Sequence, residues 1–203
     1  HHHEWVYAGA VDVFAYALAR QAAFAPNTVW RYRNADPLAL GALVRRAVEG
    51  RGERYHAFPQ RALFDPLGMR HTTLETDAWG NFVMTGFVWG TARDWARFGL
   101  LHLRDGVWEG RRLLPAGWVD YVRTPAPARP DAGYGALVWL NRGGRYPRLP
   151  RDAYWALGWL GQMVMIVPSR DAVIVRLGHS PPEGQGAYLE RLVGDVLDAL
   201  GAA

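Results

Sequence analysis

Gln162-Met-Val-Met-Ile-Val-Pro-Ser-Arg-Asp-Ala-Val-Ile-Val-Arg-Leu177 is the stretch on which the fold class turns. Two apolar runs, 162–167 and 172–177, flank the turn residues Pro168-Ser-Arg-Asp171, which is the pattern of an antiparallel hairpin. Downstream, Leu189, Val193, Val196, Leu197 and Leu200 recur at helical spacing, so 186–200 is expected to form a helix covering the hairpin. Upstream, 134–140 alternates as a further strand. The stretch 124–131 is rich in proline and charge and reads as a boundary.

Before that boundary the period is helical. Residues 12–24 carry Val13, Ala17 and Leu18 at helical spacing and stop at the turn signal Pro26-Asn27. A short extended piece, 28–32, leads to Asp36-Pro37, a capping residue followed by proline at the first helical position. The helix it opens places Leu40, Val44, Ala47 and Val48 on one face and ends near Gly50. A third helical stretch, 53–64, closes at Asp65-Pro-Leu-Gly-Met69, and 72–87 reads as loop with small strands. Thr91-Ala-Arg-Asp94 resembles a capping box and opens a helix to Leu103; 115–122 is a shorter helix of the same start type. The expected class is therefore α+β, with 1–131 mainly helical and 132–203 made of antiparallel strands and a C-terminal helix.

Composition narrows the chemistry. Half of the 203 residues are apolar and 21% are charged, enough for a packed core. No apolar run approaches the ~20 residues of a membrane span. Cysteine is absent, which excludes disulfides and thiol catalysis and leaves a cytoplasmic and an exported location equally open. All 23 basic residues are arginine, so no catalytic lysine exists in this chain, and the only serines are Ser169 and Ser180. The arginines are interspersed with acidic residues, which favours a solvated surface over a nucleic-acid partner. Residues 1–3 are histidines and read equally as the end of a purification tag or as native sequence.

His56, His71, His102 and His179 lack metal-ligand spacing, and no metal or organic cofactor is implied. Gly178-His-Ser-Pro-Pro182 begins like a nucleophile elbow, but two prolines after the serine forbid the turn into a helix; a surface loop is the expectation. The loop 141–151 holds four arginines and reads either as a mouth for anions or nucleic acid or, preferably, as an exposed connection. Tyr32 and Asn34 lie two apart, so on an extended segment a phenol and an amide face one side. A phenol near cations can lose its proton and act as a base. Gly158 and Gly161 either let a ligand approach the backbone, leaving amides free to donate to an oxyanion, or relieve crowding at a sheet edge.

Taken in order, five segments resemble the serine β-lactamase and penicillin-recognising hydrolases. The similarity lies with their class C-like branch of esterases, amide hydrolases and 6-aminohexanoate-dimer-type enzymes. The segments are Trp30-Arg-Tyr-Arg-Asn34, Leu63-Phe-Asp-Pro-Leu-Gly-Met69, Thr91-Ala-Arg-Asp-Trp-Ala-Arg-Phe-Gly99, Gly158-Trp-Leu-Gly-Gln162 and Ile166-Val-Pro-Ser-Arg-Asp171. The resemblance implies a fragment of the β-lactamase/transpeptidase-like fold. It makes Tyr32 the general acid/base and Asn34 a substrate or lysine contact. It also sets Trp159 and Gly161 on the substrate-lining strand motif, with the Gln162 N–H aimed at the oxyanion.

Three departures stand out. Trp159 replaces the usual lysine or histidine, Asn27 replaces a glycine, and the Ser-x-x-Lys block is absent. The resemblance thus implies the C-terminal part of a serine hydrolase for a small ester, amide or β-lactam. This chain alone is expected to be inactive, and a missing N-terminal segment or a second chain is the expected partner. The alternative is a non-catalytic binding or chain-complementing protein on the same scaffold. Two structural expectations follow. Tyr32, Asn34 and the Gln162 N–H should face one pocket. Met163, Met165, Val167, Val173 and Val175 should be short of partners and contribute to an apolar patch above roughly 600 Å².

Overall fold

The computed structural model describes residues 6–8 and 11–201, so the histidines at 1–3 lie outside the described residues. The chain forms two compact units divided between Thr91 and Ala92. Helices and antiparallel sheets in both make the fold α+β, as the apolar patterning indicates.

In the first unit, α1 (Val13–Leu18) is started by Asp12, whose carboxylate accepts hydrogen bonds from the Phe14 and Ala15 N–H groups. The helix stops at Leu18 rather than near residue 24, because Arg20 to Phe24 are all exposed and bury no face. Helix α2 (Ala35–Glu49) starts with Asn34 at its N-cap, two residues before the expected Asp36, and ends at Gly50 as expected. Its packed face is Leu38, Gly41 and Val48, whereas Leu40, Leu43 and Val44 are 51%, 55% and 41% exposed. The expected face is thereby corrected. The close approach lies over Gly41, where a Cβ would fall 2.7 Å from Met84 Cγ and 2.9 Å from Phe14 Cε1. A 3₁₀ turn (Tyr55–Ala57), a π-type turn (Gln60–Phe64) and the short α3 (Asp65–Leu67) follow, ended by Gly68 in the left-handed region. Strands β1 (Thr73–Leu74) and β2 (Val88–Trp89) pair antiparallel.

The second unit opens with α4 (Ala92–Leu103), then the β3–β4 ribbon (Val107–Trp108, Arg111–Arg112) and α5 (Trp118–Val122). Gly117, left-handed and without a side-chain cap, precedes α5, so that helix lacks the side-chain-capped start expected of it. A four-stranded antiparallel sheet follows in the order β5 (Trp139–Leu140), β6 (Tyr154–Leu157), β7 (Met163–Val167), β8 (Ala172–Arg176). The expected strand at 134–140 shrinks to β5 plus one bridge from Tyr134 to Trp139, because Leu137 at φ 65° breaks the extended run. The α6 helix (Gln185–Ala199) closes the unit.

The sheet is covered on both faces, which explains why β7 is apolar at every position. Met163, Met165 and Val167 pack with Trp155, Leu189, Val193 and Leu197 on the α6 side. Val164, Ile166 and Tyr154 pack with Val119, Val122 and Leu140 on the other, with Val173 and Val175 against the same cluster. Met163, Met165 and Val167 are buried and Val173 and Val175 are half-buried against packed residues, so the expectation that these side chains lack partners is not met. Gly99 lets α4 lie close to this second face, since a Cβ there would fall 2.5 Å from Val173 Cγ1.

Candidate active site

The site residues named by the sequence fall in both units. In the first, Pro26-Asn27 forms the expected turn, with Asn27 at φ 62°, a conformation asparagine tolerates. Residues 29–33 then run without strand pairing to the start of α2. Asn34 already has αR backbone angles, so the two-residue alternation of a strand does not orient it with Tyr32. What relates them is Tyr7, a residue no spacing argument singles out because it is remote in sequence. The Asn34 Nδ2 donates to Tyr7 Oη at 2.9 Å, and Tyr7 Oη donates to the Thr85 carbonyl at 3.2 Å. Tyr32 is half exposed. Its phenol is pushed above the usual tyrosine range, first by burial and then by the Tyr7 charge it would face. In this environment Tyr32 keeps its proton at neutral pH.

In the second unit, Gly158 to Gln162 is the turn that joins β6 to β7 rather than the mouth of a lone strand. Leu160 adopts left-handed angles (φ 58°, ψ 26°) and Gly161 follows at φ 87°. The Gly158 N–H donates to the Gln162 carbonyl at 2.7 Å. The reciprocal bond is not made, and the Gly158 carbonyl accepts the Gly161 N–H at 3.3 Å. Among the described residues the Gln162 N–H therefore has no backbone partner.

Arg176 and the 178–180 loop fix this turn. Arg176 Nη1 donates to the carbonyls of Gly161 (2.8 Å) and Gly178 (2.9 Å), and Nη2 to Ser180 Oγ (2.6 Å). The Gln162 side chain pairs with both backbone groups of Gly178 (2.6 and 2.8 Å), so its side-chain amide is engaged in holding the turn. The Trp159 side chain stands 81% exposed on the turn.

Neither serine is set up as a nucleophile. Ser169 Oγ donates to Asp152 Oδ1 at 2.8 Å, and Ser180 Oγ accepts from Arg176. His102 is buried on α4, its pKa lowered by that burial, and its Nδ1 has no hydrogen-bond partner. Among the described residues no three His, Cys, Asp or Glu side chains are grouped to hold a metal, and no helix is long and apolar enough to cross a membrane.

A 6-aminohexanoate-dimer hydrolase of Paenarthrobacter ureafaciens is 29% identical over 164 residues, which is 75% of this chain and 40% of that enzyme. A Bacillus anthracis structure assigned as a 6-aminohexanoate-dimer hydrolase superposes with a TM-score of 0.76 at 21% identity, covering 93% of this chain and 48% of its own. A β-lactamase from Mycobacterium bovis superposes at 0.67 with 18% identity, covering 90% and 68% respectively. The chain thus spans less than half the length of either hydrolase relative. The family model for Beta-lactamase matches residues 2–198, nearly end to end, and on that match the chain belongs to the β-lactamase family.

Proposed function

We propose that this chain is the C-terminal part of a serine hydrolase that cleaves a small ester, amide or β-lactam through an acyl-enzyme. The nucleophilic serine and its lysine would come from residues outside this chain. The observation that carries the reading is the Gly158–Gln162 turn, which holds one backbone N–H without a backbone partner beside an exposed indole. Such a preorganised donor stabilises charge as it develops on a carbonyl oxygen. In the proposed cycle the serine oxygen bonds to the substrate carbonyl carbon, and its proton passes toward the lysine. The Gln162 N–H donates to the oxyanion. Tyr32, protonated at neutral pH, gives its proton to the leaving nitrogen or oxygen as the scissile bond breaks. Water then hydrolyses the ester so formed. Asn34, Trp159 and Gly161 contact the substrate. The named activity of the Paenarthrobacter relative favours a short linear amide within this class.

The test has two arms. The 203-residue chain should take no label from a fluorophosphonate or penicillin probe, and stoichiometric labelling of Ser169 or Ser180 would overturn the proposal. In a longer parent bearing Ser-x-x-Lys, Tyr32→Phe should lower turnover by roughly 10²- to 10⁴-fold with little change in KM. Unchanged turnover would remove Tyr32 from the mechanism. A second reading, a non-catalytic binding or chain-complementing protein, draws on the lack of lysine and the occupied hydroxyls of both serines. An initiation signal immediately before residue 1 of the gene would support it.

A further inference from the structure

The arginine-rich loop at 141–151 plays no part in the turn described above, yet it is built with unusual care. Asn141, fully buried, donates through Nδ2 to the carbonyls of Tyr146 (3.0 Å), Leu149 (2.8 Å) and Pro150 (3.2 Å), and its Oδ1 accepts the Tyr146 N–H at 3.0 Å. One amide thus fixes the path of the whole loop. Gly143 and Gly144 are required by close approach. A Cβ on Gly143 would fall 2.1 Å from the Asp131 carbonyl oxygen, and one on Gly144 would fall 2.0 Å from Arg151 Cζ. The Arg151 guanidinium therefore lies against the loop backbone, where its Nη1 donates to the Arg142 carbonyl at 3.2 Å.

Between this loop and the end of α5 lies a cleft of about 180 Å³, lined by Arg123, Arg142 and Arg151 with Asp152 and Tyr154. Three arginines and one aspartate thus contribute to its lining. That carboxylate is already occupied, since Asp152 accepts from the Ser169 N–H at 2.6 Å and from Ser169 Oγ at 2.8 Å. Arg123 is partly neutralised by Asp120 at 2.7 Å, whereas the Arg142 guanidinium makes no hydrogen bond or ion pair among the described residues. A second, independent observation points to a ligand. Tyr154 is 1% exposed, and its hydroxyl has no hydrogen-bond partner. A buried donor left unpaired costs stability unless something accepts from it. Arg123 is close enough to that phenol to act on its ionisation, although burial dominates and holds it protonated. The carboxylates of Asp120 and Asp105 also act on this phenol, and Asp120 is already paired with Arg123.

We propose that this cleft binds a small oxyanion, a phosphate or carboxylate group, held by the Arg142 and Arg151 guanidinium forks with Arg123 and the Tyr154 hydroxyl as further donors. Guanidinium forks match the geometry of both groups. The site is independent of the hydrolase reading, because none of its residues belongs to that machinery.

The experiment is a titration of the 203-residue chain with inorganic phosphate, and in parallel with acetate, at low ionic strength by calorimetry. Saturable one-site binding of either anion supports the proposal, and the two arms identify the group preferred. Arg142→Ala should weaken that binding about tenfold or more, as for loss of a charge-assisted hydrogen bond. Tyr154→Phe should weaken it several-fold while leaving thermal stability unchanged or higher, because the hydroxyl it removes is unpaired in the free protein. Arg93→Ala, away from the cleft, should leave affinity unchanged. Absence of saturable binding, equal weakening by Arg93→Ala and Arg142→Ala, or unchanged affinity in a folded Tyr154→Phe variant would each overturn the proposal.

Discussion

Gly99 lies on the face of α4 that meets the sheet, and the distances there allow the effect of a single methyl group to be worked out. In Gly99→Ala the new Cβ would fall 2.5 Å from Val173 Cγ1, 3.2 Å from Val164 Cγ1 and 3.3 Å from Val173 Cγ2. Both neighbours are β-branched and cannot swing aside without leaving a rotamer well. Overpacking of this kind costs about 1–3 kcal/mol. Against it stands the higher helix propensity of alanine, worth about 1 kcal/mol. The net expectation is a loss of about 1 kcal/mol, seen as a fall of about 2–4 °C in Tm. The decisive measurement is the same substitution in a Val173→Ala background. With both Cγ atoms of Val173 gone, the clash at 2.5 Å disappears and the propensity gain remains, so Gly99→Ala should turn from destabilising to neutral or stabilising. Urea denaturation of the four proteins gives the coupling directly. A Gly99→Ala that stabilises both backgrounds equally would refute the claim that helix and sheet are in contact through this glycine.

Asn141→Leu should cost about 3–5 kcal/mol by urea denaturation, since it strips the partner from several backbone groups of the 141–151 loop at once; a loss below about 1 kcal/mol would show the loop holds without it. Asp77 supplies a pH dependence. Burial alone would raise its carboxyl, but hydrogen bonds from the Val13 N–H, the Asn81 side chain and backbone and the Trp79 N–H outweigh that and hold it below 3.8. Its folded pKa lies under the unfolded one, so its stabilisation is fully present above the unfolded value and is lost as pH falls through the folded value. The urea midpoint should therefore drop on acidification below about pH 4, and Asp77→Asn should flatten that drop; an identical acid profile in the variant would remove Asp77 as its source.

Elements with one strong signature were legible in the sequence. The β7–β8 hairpin, α4 and α6 combine unbroken apolar patterns with clear stop signals, and they form within a residue or two of where the pattern puts them. Strand β6 escaped notice because Tyr154-Trp-Ala-Leu157 is only four residues long and is apolar on both faces, so it shows no alternation. The α2 helix has two apolar stripes, and propensity alone cannot choose between them. The choice is made by Gly41, which reads as a neutral residue in sequence and as the point of closest packing in space. At the candidate site, the Tyr-x-Asn spacing and the glycines around Trp159 were visible. Tyr7 was not, because its link to Asn34 exists only after the chain has folded back on itself.

The order of strands in the main sheet is also their order along the chain: each of β5, β6, β7 and β8 is hydrogen-bonded to its immediate sequence neighbour. A meander of this kind closes only local loops, and the entropy of bringing partners together grows with the length of chain between them. The sheet therefore makes no demand on distant parts of the polypeptide for its register. Its pairings can form one after another as the chain is synthesised, with each finished strand serving as the template for the next. Only α6 must arrive afterwards to seal the face carrying Met163 and Met165.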